Sequence, residues 1–260
     1  MTKSHSHWNK NTEQNINFWN ALSHRMRSKD TNMDSNHLLE DVAKLAPYHK
    51  DMRILDIGCG AGRYAIHLSP LVREVVAQDI APKMIEAAKE DSKGLENIHF
   101  MVGDFMDPKF SPENLGTFDV AIAPMTPAIS DIPSLERMIA LGRVCGLSKH
   151  TRRKYPHMEY LCDHFGAIHK ESSASFKLIF DHLWSLGIKP FLTHHREIWE
   201  REYDPETLTE ETFLRLKQEV DLVDEDKAFI RSYYEDQAED GKVMDWSDVT
   251  ISVLTWENLQ

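Results

Sequence analysis

Apolar positions along this chain fall into short runs that alternate between two periods. "MRILDIG" (Met52 to Gly58) is a near-continuous apolar run, interrupted by one acid, that enters a glycine-rich turn. Such a run, bounded by a turn, predicts a buried strand. "GRYAIHLSP" (Gly62 to Pro70) then reads as a helix and "EVVAQD" (Glu74 to Asp79) as a second strand. The helix after it, "APKMIEAAKED", has Pro82 in its first turn, where a missing N–H costs nothing. "IHFMVGD" (Ile98 to Asp104) and "FDVAIAP" (Phe118 to Pro124) continue as strands, "SDIPSLERMIALG" (Ser130 to Gly142) as a helix and "RVCGLSKH" (Arg143 to His150) as a fifth strand. Strands alternating with helices of this length predict βαβ units on a parallel sheet.

The last third stretches the rhythm. "SASFKLIFDHLWSLG" is a helix stopped at Gly187, "IKPFLTHHREIW" a strand whose Pro190 points to an edge or an early position, and "DVTISVLTW" a seventh strand with clean alternation. Pro205 to Asp240 reads as two amphipathic helices. Ahead of the first strand, "INFWNALSHRMRS" (Ile16 to Ser28) is an amphipathic helix, followed by a polar stretch, "RSKDTNMDSNH", that suits a hinge. The expected architecture is therefore α/β: a seven-stranded, mostly parallel, doubly wound sheet with an N-terminal helical lid and a helical insertion before the last strand. In residues, that is a helical cap over 1–50 and a core domain over 51–260, with an acidic insertion over 203–243.

Composition narrows the partners. The 260 residues are 41% apolar, enough for a core, and no apolar run reaches the ~20 residues of a membrane helix. Met1 to Lys10 lacks the apolar stretch of a signal peptide. Cys59, Cys145 and Cys162 are widely spaced with no CxxC pair, which predicts free thiols in a cytoplasmic protein. The net charge is −12, and Arg201 to Asp248 alone holds 16 acids against 6 bases, a net of −10. So acidic a surface repels phosphate backbones and argues against DNA as a partner. The acidic run itself reads as a solvated helical face.

The chemistry concentrates at the first turn. Gly58, Gly60 and Gly62 give G-x-G-x-G, whereas a dinucleotide fingerprint needs G-x-G-x-x-G and would place its third glycine where Arg63 stands. Asp56, two residues earlier, would repel a pyrophosphate. It suits a cation, such as a sulfonium that also carries an α-ammonium group.

With these residues "ILDIGCGAGR" resembles motif I of the class I S-adenosylmethionine-dependent methyltransferases, matching at Asp56, Gly58, Cys59, Gly60 and Gly62. The resemblance continues in order along the chain. Asp79 stands where the family's acid hydrogen-bonds the ribose hydroxyls, and "DIAPKMIEAA" supplies Ile80 and Met84 at matching positions. "GDFMD" resembles the adenine station, with Gly103, Asp104 for the amino group and Phe105 over the ring; Ala123 and Pro124 end the strand that lies beside the methionine moiety. The resemblance implies a Rossmann-like domain, S-adenosyl-L-methionine as cofactor, and an enzyme that transfers its methyl group. It departs from the family at "LGRVCGLS", where many members carry Lys-Pro-Gly-Gly, and at "APMT", where amino-group methylators carry Asn-Pro-Pro-aromatic. Paired catalytic cysteines of the RNA cytosine C5 type are absent.

Fold and cofactor follow from this resemblance, and the acceptor does not. The expectation is a small-molecule acceptor; a protein or tRNA acceptor, or a non-catalytic cofactor-binding module, are the alternatives. Methyl transfer is an in-line displacement that needs a general base only when the nucleophile arrives protonated, so no catalytic residue is named. Pocket candidates are Trp19, His24 and Arg25 on the N-terminal helix, Met125 after the fourth strand and His150 after the fifth, with Arg152 and Arg153 beside it as anion binders. His194 and His195 alternate across the sixth strand, so at most one faces a site. Fourteen histidines raise the question of a metal, but among Cys162, His164 and His169, with His157 before them, only His164 and His169 fit a zinc spacing, the loose H-x3–5-H form, and no metal is expected. Cys59 reads as a small turn residue and not a nucleophile.

Overall fold

A computed structural model describes residues 12–27, 36–167 and 173–258. Seven strands form one mixed sheet: β1 (Arg53–Ile57), β2 (Glu74–Asp79), β3 (Ile98–Val102), β4 (Phe118–Pro124), β5 (Gly142–Lys154), β6 (Phe191–Tyr203) and β7 (Val243–Glu257). Their order across the sheet is β3-β2-β1-β4-β5-β7-β6. The sheet is mostly parallel with one antiparallel hairpin, as the alternating pattern predicts. In the parallel part, Asp56 of β1 lies beside Ala77 of β2 on one side and Ile122 of β4 on the other. The strand order reverses at β1 and β4, so a crevice opens at their carboxyl ends, where the glycine turn lies.

The helices are α1 (Thr12–Leu22), α2 (His37–Leu45), α3 (Arg63–Leu68), α4 (Pro82–Asp91), α5 (Pro112–Leu115), α6 (Ile132–Leu141), α7 (Pro156–Phe165), α8 (Ser173–Ser185), α9 (Pro205–Leu216) and α10 (Asp224–Asp236). Besides the four-residue α5, two of them fall where the sequence reading placed no helix. In α2, Asn36 caps by accepting from the Leu39 N–H, and Leu38, Leu39 and Val42 are buried. Its partner on β5 is Gly146, where a Cβ would lie 2.5 Å from Val42 Cγ2. The polar "RSKDTNMDSNH" preceding α2 masked its start; most of the expected hinge lies outside the described residues. The other helix, α7, starts on Pro156 and ends on Gly166 in the left-handed conformation.

Two compact units divide the chain, and they do not follow the partition at residue 51. The larger comprises residues 1–149, 173–194 and 252–260; the smaller comprises 150–172 and 195–251. In the larger unit a core runs through Leu55, Ile57, Phe118, Leu135, Ile179 and the fully buried Trp256. In the smaller unit Tyr155, Leu161, Leu208, Phe213, Ile230 and Tyr234 form a separate core. That core draws on α7, α9 and α10, so the acidic helices of 203–243 bury a full apolar face rather than standing as a solvated appendage.

Candidate active site

The glycine turn lies in the larger unit. Gly58, Gly60 and Gly62 all adopt positive φ (66°, 54° and 82°), a conformation that costs side-chain-bearing residues energy. Two of them differ sharply in what surrounds them. A Cβ on Gly58 would sit 2.0 Å from Thr126 Oγ1, whereas one on Gly60 would meet nothing within 4 Å. Gly58 is therefore needed for packing, and Gly60 leaves its face open.

The end of β2 anchors this turn through the backbone. The Cys59 N–H donates to the Gln78 carbonyl (2.9 Å) and the Gly58 N–H to Gln78 Oε1 (3.3 Å). Asp79 accepts from Gly60 N–H at Oδ2 and from Ala81 N–H at Oδ1, each at 2.8 Å. On its other side, Gln78 Nε2 donates to the Gly103 carbonyl, and the Gly103 N–H to the Asp79 carbonyl (2.9 Å). Burial raises the Asp79 carboxyl above the usual range, opposed by the N–H groups of Ala81, Gly60 and Ile80.

Asp56 lies beneath the turn, fully buried, and neither carboxylate oxygen has a well-formed hydrogen bond. Burial first, and then the Asp79 charge, push it up to about 8, with the Ala65 N–H pulling the other way. A buried acid without a partner is costly as an anion, and a nearby cation would relieve that cost. Together with the open face at Gly60 and the Asp79 carboxylate beside it, this fits a cationic ligand with a diol. Burial raises the Cys59 thiol well above its ordinary value, so it is no nucleophile.

A cleft of about 200 Å³ opens over the turn. Of the residues expected to hold the cofactor, Gly58, Cys59, Gly60, Asp79, Ile80 and Met84 line it on one side, and Asp104, Phe105 and Pro124 on the other. Asp56, Gly103 and Ala123 do not reach its surface: the first supplies charge from below, the second anchors Gln78, and Ala123 is buried in β4. Asp104 accepts from the Met106 N–H (2.8 Å), and Arg137 grips the Phe105 carbonyl (2.8 Å), which fixes the loop after β3.

The pocket candidates separate. Trp19 and Met125 line the cleft, with Asn15 and Met26 from the N-terminal segment beside them. His24 and Arg25 do not line it; they form a turn of 3-10 helix after α1. His150 belongs to the smaller unit, its ring edge-on to Trp199 at 5.0 Å, and burial with Arg153 and Arg215 pushes it down to about 3. It is therefore neutral near pH 7 and lines no part of the cleft. His194 bonds Ser252 Oγ (2.7 Å). Arg152 pairs with Asp248 (3.2 Å), so neither extends the site. No group of histidines, cysteines and acids able to hold a metal occurs among the described residues; His169 lies outside them.

The sequence reading missed Gln78, Tyr64 and Thr126. The one signal for Gln78 was an amide inside an otherwise apolar strand. Thr126 follows Met125, which adopts φ 53°, a rare value for a side-chain-bearing residue. The Met125 N–H donates to the Ser148 carbonyl (2.9 Å), and Lys149 Nζ to that of Thr126 (3.1 Å). Lys149 is 5% exposed, and burial lowers it to about 8.

Comparison with known proteins agrees with this geometry. Residues 54–145 match the family described as a methyltransferase domain. The uncharacterized methyltransferase YcgJ of Bacillus subtilis is 40% identical over 64 residues, 24% of this chain and 25% of that protein. Its crystal structure superposes with a TM-score of 0.52 at 16% identity, covering 86% of this chain and 99% of the other. Magnesium-protoporphyrin O-methyltransferase of Rhodobacter capsulatus is 37% identical over 75 residues (27% of this chain, 30% of that protein). The 23S rRNA (uracil(1939)-C(5))-methyltransferase of Marinomonas posidonica is 31% identical over 88 residues (32% and 20%). The chain thus spans less than a third of the length of these curated relatives. The match to the methyltransferase domain over residues 54–145 takes in the glycine turn, Asp79 and the loop after β3, and over that segment the chain is similar to methyltransferases.

Proposed function

We propose that this protein transfers the methyl group of S-adenosyl-L-methionine to a small-molecule acceptor. The observation that carries the reading is the cleft itself, in which the glycine turn and Asp79 share one cavity with the apolar side chains of Trp19, Met26, Met125 and Tyr64. S-adenosylmethionine supplies an electrophilic methyl on a sulfonium; the protein's own groups bind, orient and exclude water. Asp79 uses both oxygens to fix backbone N–H groups, and each keeps a lone pair for a ribose hydroxyl. Asp56, mostly protonated near pH 7 in the free protein, can ionise beneath a cationic ligand above the glycine turn. Asp131, also in the lining, is committed as the N-cap of α6 through the Ser134 N–H (3.0 Å), so no base is assigned.

The N-terminal segment acts as a cap in this reading. Asn20 Oδ1 accepts from the Lys83 N–H (3.0 Å) at the start of α4, and Arg27 pairs with Glu90 and Asp91 at its end. Phe18 and Leu22 are buried beneath it. Removing residues 1–28 would leave every strand intact and abolish turnover, with cofactor binding weakened only in part. An RNA or protein acceptor is disfavoured by the net charge of −12. A cytoplasmic site of action accords with three free, buried cysteines, and no described helix is long and apolar enough to cross a membrane.

The test offers methyl-labelled cofactor together with a metabolite extract, total RNA and denatured protein. Label in the low-mass fraction supports the proposal; label in RNA or protein refutes it. In a melting experiment S-adenosylhomocysteine should stabilise the protein and NAD should not.

A further inference from the structure

β6 lies at one end of the strand order, and among the described residues no strand pairs with its outer side. It is thirteen residues long, with Ile198 52% and Trp199 37% exposed. Long edge strands that expose apolar side chains are templates for another strand. Charge guards such an edge only when it repels every incoming strand, and here the charges do the opposite for one particular partner.

Residues 195–203, within the smaller unit, read "HREIWEREY". Set against itself in the antiparallel sense about Trp199, this stretch places Arg196 opposite Glu202 and Glu197 opposite Arg201. Two-fold symmetry makes each pair occur twice. Moving the centre half a residue one way sets Arg196 against Arg201 and Glu197 against Glu200; the other way sets Glu197 against Glu202. Moving it a whole residue to Ile198 leaves one opposite-charge pair, Arg196 with Glu200, and moving it to Glu200 leaves none within the stretch and sets Glu200 against itself. Cross-strand pairs of opposite charge stabilise a ladder and like charges destabilise it, so the sequence selects a single register.

We propose that the outer edge of β6 docks a second copy of this chain, antiparallel, on a two-fold axis through Trp199. The backbone supplies the hydrogen-bond ladder and the side chains supply the register. Within its own chain Arg196 holds Asp248 (2.9 Å), Glu197 accepts from the Trp199 indole N–H (2.5 Å) and Arg201 donates to Tyr203 Oη (3.5 Å). Docking exchanges these contacts for the cross-strand pairs, and Glu197 with Arg201, nearest the axis, decides the register. This interface is independent of the cofactor cleft and of the acceptor.

Light scattering on a sizing column, with the full chain at tens of micromolar, should give a dimer. Glu197→Arg and Arg201→Glu should each weaken it by about tenfold or more, and the double charge swap should restore it. A single cysteine at the axis, Trp199→Cys, should oxidise to a linked dimer, because directly opposed residues lie about 4.5–5.5 Å apart, within disulfide reach. Glu200→Cys, displaced from the axis, should stay reduced; the native cysteines are buried and do not compete. Circular dichroism checks that each variant is folded. A monomeric wild type, a dimer indifferent to both single swaps, or linking through position 200 in place of 199 would overturn the proposal.

Discussion

The two compact units hold their polar groups by different means. Around the glycine turn of the larger unit, carboxylates meet backbone: Asp79 accepts from Gly60 and Ala81, and Asp104 from Met106. In the smaller unit, side chains meet side chains. Tyr155 donates to Asp245 (3.0 Å), His157 bonds Tyr233 (2.9 Å), and Arg152 and Arg196 both hold Asp248. Backbone donors need glycines, a fixed spacing and a strand end to aim them, so such a site leaves a pattern in sequence. A side-chain network joins residues far apart in the chain and leaves none.

The largest effect expected from this contrast is at Gly58. Gly58→Ala forces a Cβ to 2.0 Å from Thr126 Oγ1 on top of left-handed strain, costing about 2–5 kcal/mol of stability. Gly60→Ala carries only the strain, about 1–2 kcal/mol, yet both should lose cofactor. Melting curves beside calorimetric titration separate the two; equal destabilisation would erase the distinction between packing and open glycine.

Asp79→Ala removes the acceptor for two N–H groups as well as the ribose partner. Cofactor affinity should fall by roughly 10- to 150-fold, from a charge-assisted loss of about 1.5–3 kcal/mol. Unchanged affinity in calorimetry would contradict the assignment at this position.

Asp56 gives a pH signature instead of a step. Its folded-state carboxyl, at about 8, lies above the unfolded 3.8, so the folded state binds more protons between those values. The Asp56 contribution to stability without ligand is then fullest below about pH 4 and is lost as pH rises through 8. Asp56→Asn should flatten that slope in urea titrations, and cofactor binding near pH 7 should release a proton in the wild type only.

The smallest effect belongs to the smaller unit. Its two arginines, Arg196 foremost, hold Asp248 down to about 2, so its contribution is present above about pH 4 and lost as pH falls toward 2. Asp248→Asn should lower stability above about pH 4 and leave it unchanged near pH 2, with cofactor affinity untouched. A loss of affinity would show the two units to be energetically linked.

What was legible in the sequence follows the same division. The parallel strands could be read because they are near-continuous apolar runs, β7 because it alternates cleanly, and the residues from Asp56 to Pro124 because their role is set by spacing. α2 went unread because its start lies behind a polar tract, and α7 because Pro156 there opens a helix instead of ending one. Gln78 and Thr126 act through a neighbour's backbone or by filling the space beside a glycine, and neither role has a motif. His150 looked like a site residue from its place after a strand, but burial against Trp199 keeps it neutral.

Trp256 sets the timing of all this. It is fully buried in the core that also contains Leu55 and Ile57, yet it is synthesised only after all the other strands and helices described above. The segments of the larger unit flank both stretches of the smaller one, so neither can mature as an uninterrupted piece of nascent chain. The glycine turn is translated early and must wait, its β1 apolar face uncovered, until β7 emerges and closes the core. Long-range closure of this kind slows folding, and a chaperone that shields β1 should therefore raise the yield of folded protein more than one acting only after β7 has emerged.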